Sequence, residues 1–247
     1  MTALILALVA GAVVGLALGG LGGGGSMLAV PALVYLLGFT PATATTASLV
    51  IVAATSLTGL LAHARAGRVR WRTGALFAAA GLPAAAAAGA LSVHLPGALL
   101  TGAFAVLAAL AAWRMLAPRA VRERSAAGAG RASATGAGLG AVTGLLGVGG
   151  GFLAVPALVS VLAFTMAEAV GTSLLVITAN SLAALLPRLG STAAIDWSVA
   201  APFTGAAILG AWDGKRLADR LNGPTLQRAF AIALLGVAAL MLVTTFL

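Results

Sequence analysis

Residues 21–34 read L-G-G-G-G-S-M-L-A-V-P-A-L-V, and residues 146–159 read L-G-V-G-G-G-F-L-A-V-P-A-L-V. The pair is the centre of a longer match: at an offset of 125, residues 19–61 and 144–186 agree at 24 of 43 positions. After one inserted residue the match resumes at offset 126, setting Trp71 against Trp197, Leu91 against Leu217, Leu95 against Leu221, Gly97 against Gly223 and Phe104 against Phe230. Ala/Gly-rich sequence produces chance matches, but not a run of this length with Pro, Phe and Trp in register. The chain is a tandem duplication.

Composition fixes the solvent of the duplicated unit. The 247 residues are 61% hydrophobic and 8% charged, with a mean hydropathy of +1.11. A soluble domain carries about a quarter charged residues, and disordered chains are poor in apolar ones. Both are excluded, which leaves an all-α polytopic integral membrane protein, since alternating barrel patterning is absent. The net charge of +9 does not indicate nucleic acid, because the basic residues are few and lie in short segments between apolar runs. Zero cysteines exclude disulfides, thiolate metal sites and cysteine catalysis. Thr2–Leu18 lacks a basic n-region and an A-x-A-like site, and is expected to belong to the mature chain.

Gly, Pro and Arg divide the sequence into ten apolar stretches: Thr2–Leu18, Met27–Gly38, Ala42–Ala62, Gly74–Val93, Gly97–Leu116, Ala132–Leu146, Phe152–Phe164, Ala167–Leu186, Ser198–Trp212 and Leu226–Leu247. A helical span needs about 20 apolar residues, so Met27–Gly38 and Phe152–Phe164 are too short. A single straight helix over 2–38 would run about 55 Å against a hydrocarbon core of about 30 Å. A break at the glycines is required on length alone.

Basic residues set the orientation. Arg65, Arg68, Arg70 and Arg72 form one cluster; Arg114, Arg119, Arg122, Arg124 and Arg131 a second; Lys215, Arg216, Arg220 and Arg228 a third; only Arg188 falls elsewhere. Lys and Arg mark cytoplasmic loops. Placing all three clusters inside puts equivalent loops of the two copies on opposite faces. The expected architecture is therefore two inverted repeats, each a Gly-broken hairpin of short helices plus three spans. Residues 1–117 form the first repeat, 118–131 a cytoplasmic linker and 132–247 the second. Both termini are expected outside, and a homodimer is compatible with this arrangement.

The duplicated glycines carry the functional signal. Gly22, Gly24, Gly25 and Ser26, with Gly147, Gly149, Gly150 and Gly151, precede short helices whose first N–H groups lack intrahelical partners and attract anions. Unwound backbone in a membrane is tolerated only where it is buried or lines a cavity, so inverted copies are expected to converge near the midplane as a binding centre. Close helix packing on small residues is the plainer alternative. Hydroxyls and amides after the short helices are the next candidates: Thr46 and Ser48 (with Thr45) in the first half, Thr172, Ser173 and Asn180 in the second. Their alternative use is bonding within or between helices.

The stretches G-G-G-G-S-M-L-A-V-P-A-L (22–33), G-V-G-G-G-F-L-A-V-P-A-L (147–158) and A-V-G-T-S-L (169–174) resemble the TauE/SafE, or sulfite exporter, family of membrane permeases. The likeness extends over nearly the whole chain, including the Arg-rich loop before Trp71 and Asp196-Trp197. The first half departs from it with Ala44-Thr45-Thr46-Ala47-Ser48-Leu49 in place of the G-T-S pattern. The resemblance implies transport of sulfite, sulfoacetate, sulfonates or related small anions across a bacterial cytoplasmic membrane.

The acidic residues Glu123, Asp196, Asp213 and Asp219 fall in or beside connections, and Glu168 just before a span. No carboxylate stands at mid-span, where proton relays usually have one. With the inside negative, 100 mV assists exit of a monovalent anion by about 2.3 kcal/mol, which favours export without a coupling ion. No catalytic residue, metal or cofactor is expected. Ser26 as the nucleophile of an intramembrane hydrolase lacks a base, and its repeat-mate is Gly151. A permease for another small anion and a non-transporting assembly subunit remain the alternatives. His63 and His94 lie at span ends, Trp71 and Trp197 at interface positions.

Overall fold

The computed structural model describes residues 2–92, 97–116, 129–146, 151–186 and 195–246. Every element among them is helical: α1 (Thr2–Leu21), α2 (Gly24–Pro31) continued by a π-helical turn Ala32–Leu36, α3 (Pro41–Arg65), α4 (Trp71–Ser92), α5 (Gly97–Leu116), α6 (Ala129–Leu146), α7 (Gly151–Ser160), α8 (Met166–Leu185), α9 (Trp197–Arg220) and α10 (Gly223–Phe246). Each apolar stretch became one element. Among the described residues three helices are both long and apolar enough to cross a membrane: Thr2–Leu21, Thr43–Arg65 and Met166–Leu185. The clearest boundary difference is α9, which runs eight residues past Trp212 to Arg220. Asp213, Lys215, Arg216 and Asp219 are thus helical rather than in a connection. Ion pairs along one helix, Arg216 to Asp213 at 3.3 Å and Lys215 to Asp219 at 2.7 Å, support that extension.

The break demanded by length falls at Gly22. Its φ of +71° is left-handed backbone that glycine adopts freely, and it ends α1 before α2 begins at Gly24. The short helix then turns through Gly38, also at φ +71°, with Phe39 N–H returning to Leu33 O at 3.0 Å. In the second half Phe164 N–H returns to Leu158 O at 3.1 Å, and the left-handed residue is Ala163, φ 55°. Both turns lead to a threonine N-cap: Thr40 Oγ1 accepts from Thr43 N–H, and Thr165 Oγ1 from Glu168 N–H, each at 3.3 Å. All five pairs of positions are 125 apart. An alanine held left-handed costs about 1–2 kcal/mol, so Ala163→Gly is expected to stabilise the protein, raising Tm by a few degrees in a thermal unfolding scan.

The helices pack across the halves. Gly11, Gly15 and Gly19 on α1 face the backbones of Phe203, Ala207 and Ala211 on α9, and a Cβ at any of the three would collide with the facing carbonyl oxygen. Gly136 and Gly140 on α6 meet the carbonyls of Phe77 and Gly81 on α4 in the same way. Gly11 and Gly136, Gly15 and Gly140 are 125 apart, while Phe77 and Phe203 are 126 apart: one close contact is made twice. Residue numbers rise together in both pairs, so the helices run parallel, at the near approach that small residues allow. Two apolar cores follow, one containing Phe203 with Ala7, Val14 and Leu33, the other Phe77 with Ala132 and Leu158. Each joins the leading helices of one half to α9 or α4 of the other.

α3 and α8 occupy equivalent places and run antiparallel to each other. Ser56 meets Thr178, Gly59 faces Leu174, and Gly171 faces His63 and the Arg68 carbonyl. On α1, Leu4, Ile5, Leu8, Val9 and Val13 are exposed, as suits a surface facing hydrocarbon.

Candidate functional site

The Gly22 break lies against α8. A Cβ on Gly22 would stand 2.6 Å from Ser173 Oγ, 3.2 Å from Val155 Cγ2 and 3.3 Å from Val170 Cα. The open backbone of the first half thus touches a hydroxyl and the short helix α7 of the second. Gly147, Gly149 and Gly150 lie outside the described residues. Gly151 begins α7, while Gly24, Gly25 and Ser26 form the first turn of α2, whose N-cap Gly23 supplies no side-chain cap.

The hydroxyls do not form one cluster. Ser48 precedes Ser56 by eight residues and Ser173 precedes Thr178 by five; in antiparallel helices these displacements add to about 20 Å. Relative to the Ser56–Thr178 contact, the Gly22 break sits about 7 Å toward the arginine-bearing end. The 20 residues of α1 carry the chain about 30 Å before it turns there.

The serine hydroxyls are engaged with their own helices. Ser48 Oγ donates to Thr45 O and Ser173 Oγ to Val170 O, both at 2.8 Å. Thr172 Oγ1 accepts from Arg70 N–H at 3.1 Å, tying the arginine loop to α8. Thr46 is buried and has an interaction of its own. Serving an anion therefore requires Ser48 and Ser173 to rotate away from their own helix, a common exchange for such bonds. Asn180 differs. Its Oδ1 is buried without a partner among the described residues, beside a gap of about 10 Å³ lined by Phe77, Gly81, Gly136, Gly140 and Val176, about the size of one water.

Glu168 is a structural carboxylate. It completes a capping box with Thr165 and receives Arg70 Nη2 at 2.5 Å and Nε at 3.0 Å. Asp196 caps α9 through Ser198 N–H at 3.0 Å. His63, which the sequence marks only as a span-end residue, is 1% exposed, its Nε2 3.2 Å from Gly19 O. The signal available for it is the stripe of small residues that ends at Gly19, where a neighbouring helix can bring a side chain close to backbone. Trp71 and Trp197 each open a helix and are about half exposed. Among the described residues no group of three His, Cys, Asp or Glu could hold a metal ion.

The model of the family described as Sulfite exporter TauE/SafE matches residues 7–241. Probable membrane transporter proteins of Xylella fastidiosa, from strains 9a5c and Temecula1, are each 35% identical over 244 residues, covering 95% of this chain and 93% of theirs. No solved structure matches significantly. The chain belongs to the TauE/SafE family and is a membrane transporter of that family.

Proposed function

We propose that this TauE/SafE member moves a small sulfur oxyanion or organosulfonate (the sulfite, sulfoacetate or sulfonate class) outward across the bacterial cytoplasmic membrane. The observation that carries the reading is the meeting of left-handed Gly22 with Ser173 Oγ. It joins unwound backbone of one half to a hydroxyl of the other at a place where backbone polarity needs a reason. The antiparallel course of equivalent helices α3 and α8, and the reciprocal glycine contacts of α1 with α9 and α6 with α4, support two inverted repeats, which suit alternating access to a central path. In this reading the Gly22 break and its facing Ser173 form a half-site, with Asn180 and Ser48 farther along the path.

Substrate passes between amides and hydroxyls rather than carboxylates, so the membrane potential alone suffices to expel it. Purified protein in proteoliposomes is expected to pass sulfite, sulfoacetate, taurine or thiosulfate faster than protein-free vesicles. An anion-expelling potential of 100 mV should bias flux by about 50-fold at most. No flux of any of the four above the protein-free rate overturns the reading.

A further inference from the structure

A second polar place lies at the arginine-bearing end, adjoining the glycine break through Gly20 and Val170. A cavity of about 100 Å³ opens there, lined by Gly20, His63, Arg68, Val170, Asp219 and Leu226 among others. It has room for several water-sized groups. His63 forms part of its wall while 1% exposed. A carbonyl can only accept, so at Gly19 O the ring presents Nε2–H, at 3.2 Å. The neutral ring then keeps a bare lone pair on Nδ1, and that atom is buried with no partner among the described residues.

The charges around it are unequal. Asp219 accepts from Arg68 Nη1 on one oxygen and from Lys215 Nζ, at 2.7 Å, on the other. Two cations share one carboxylate. Among the described residues the remaining guanidinium donors of Arg68 have no acceptor. From α8, Glu168 is already bound to Arg70, and α10 contributes only Gly223 and Leu226 to the wall. At offset 126 the equivalents of Arg68, Lys215 and Asp219 are Ala194, Gly89 and Val93. The duplication therefore did not copy these three charges.

A net positive fork beside a single acceptor lone pair selects an unusual ligand. A fully deprotonated oxyanion would suit Arg68 but set its own lone pairs against Nδ1. We propose that this cavity binds a small oxyanion that still carries one acidic proton, its charged oxygens on Arg68 and its O–H donated to His63 Nδ1. The site takes substrate at the arginine-bearing end before it reaches the Gly22 break. This rests on the anion-permease reading for its purpose, but its chemistry stands on the cavity.

The test follows the imidazole nitrogens by NMR in ¹⁵N-histidine-labelled His94→Gln protein, in which His63 is the single histidine. Sulfite is titrated below neutral pH, where much of it is protonated; sulfate, which is not, is the comparison. The Nδ1 resonance is expected to move upfield with saturation under sulfite and to stay fixed under sulfate. Arg68→Gln should weaken the sulfite midpoint by about tenfold. An Nδ1 signal unmoved at saturating sulfite overturns the site, and equal movement under sulfate overturns the requirement for a proton. Flux is read separately on the same protein. Movement without flux supports this site and overturns the permease reading; flux without movement overturns this site alone.

Discussion

Replacing Gly15 by leucine is expected to leave no recoverable folded protein. Gly15 sits midway along the stripe Gly11, Gly15, Gly19, and its absent Cβ is what lets α1 lie on the backbone of α9 at Ala207. The obstacle is a main-chain carbonyl, which cannot rotate aside as a side chain can. Even one added methylene in a tight core costs about 1–3 kcal/mol, and four added carbons would force the helices apart along their length. That separation would undo a core holding Phe203, Leu18 and Ala7, all fully buried. Fluorescence-detected size-exclusion chromatography in detergent should show the monodisperse peak lost for Gly15→Leu and strongly reduced for Gly15→Ala. Gly205→Ala is the control: nothing lies within 4 Å of a Cβ there, so its peak should match the parent protein. A normal peak for Gly15→Leu would mean that the α1–α9 contact does not hold the halves together.

The sequence made the helices legible because in a membrane an apolar run and a helix are nearly the same statement: no other element satisfies its backbone in lipid. All ten stretches became elements, and the break at Gly22 followed from length alone. The partners were not legible. Gly11, Gly15 and Gly136 read as ordinary glycines of a low-complexity chain, since a small residue shows that something can come close but not what does. The overrun of α9 was hidden by its charges. Asp213 and Asp219 look like loop residues until Lys215 and Arg216, three and four residues away, are seen to pair with them along one helix. Glu168 illustrates the opposite failure of sequence alone: a carboxylate at a span's edge could serve transport, and only its bonds to Thr165 and Arg70 show it holding a helix start. His63 is hidden for a related reason. Its value lies in a lone pair left over after Gly19 is satisfied, and a remainder of that kind exists only in three dimensions.

Substitution at the glycine breaks should abolish flux while leaving a folded protein, which separates them from the packing glycines. At Gly22 the obstacle to a Cβ is first a side chain, Ser173 Oγ at 2.6 Å, and only then the α8 backbone at 3.3 Å. A side chain can move; the φ of +71° adds about 1–2 kcal/mol for any L-residue. Gly22→Ala is therefore expected to fold with reduced stability, whereas its methyl occupies the space in which an anion would meet amide and hydroxyl together. Anion flux in proteoliposomes should fall at least about tenfold, as loss of one charged hydrogen bond predicts. Combining it with Ser173→Ala sharpens the distinction. Removing the hydroxyl relieves the collision, so the double variant should regain part of the lost Tm. If the hydroxyl also serves substrate, flux should stay low. Gly150→Leu, the second-half counterpart of a change at Gly25, is expected to abolish flux outright, because it puts a four-carbon side chain into the second copy of the glycine run. Glu168→Gln should keep near-parental flux, since its partners are a helix cap and Arg70. Full flux in folded Gly22→Ala and Gly150→Leu would reduce the duplicated glycines to packing, and the anion would then have to be held elsewhere on α3 and α8.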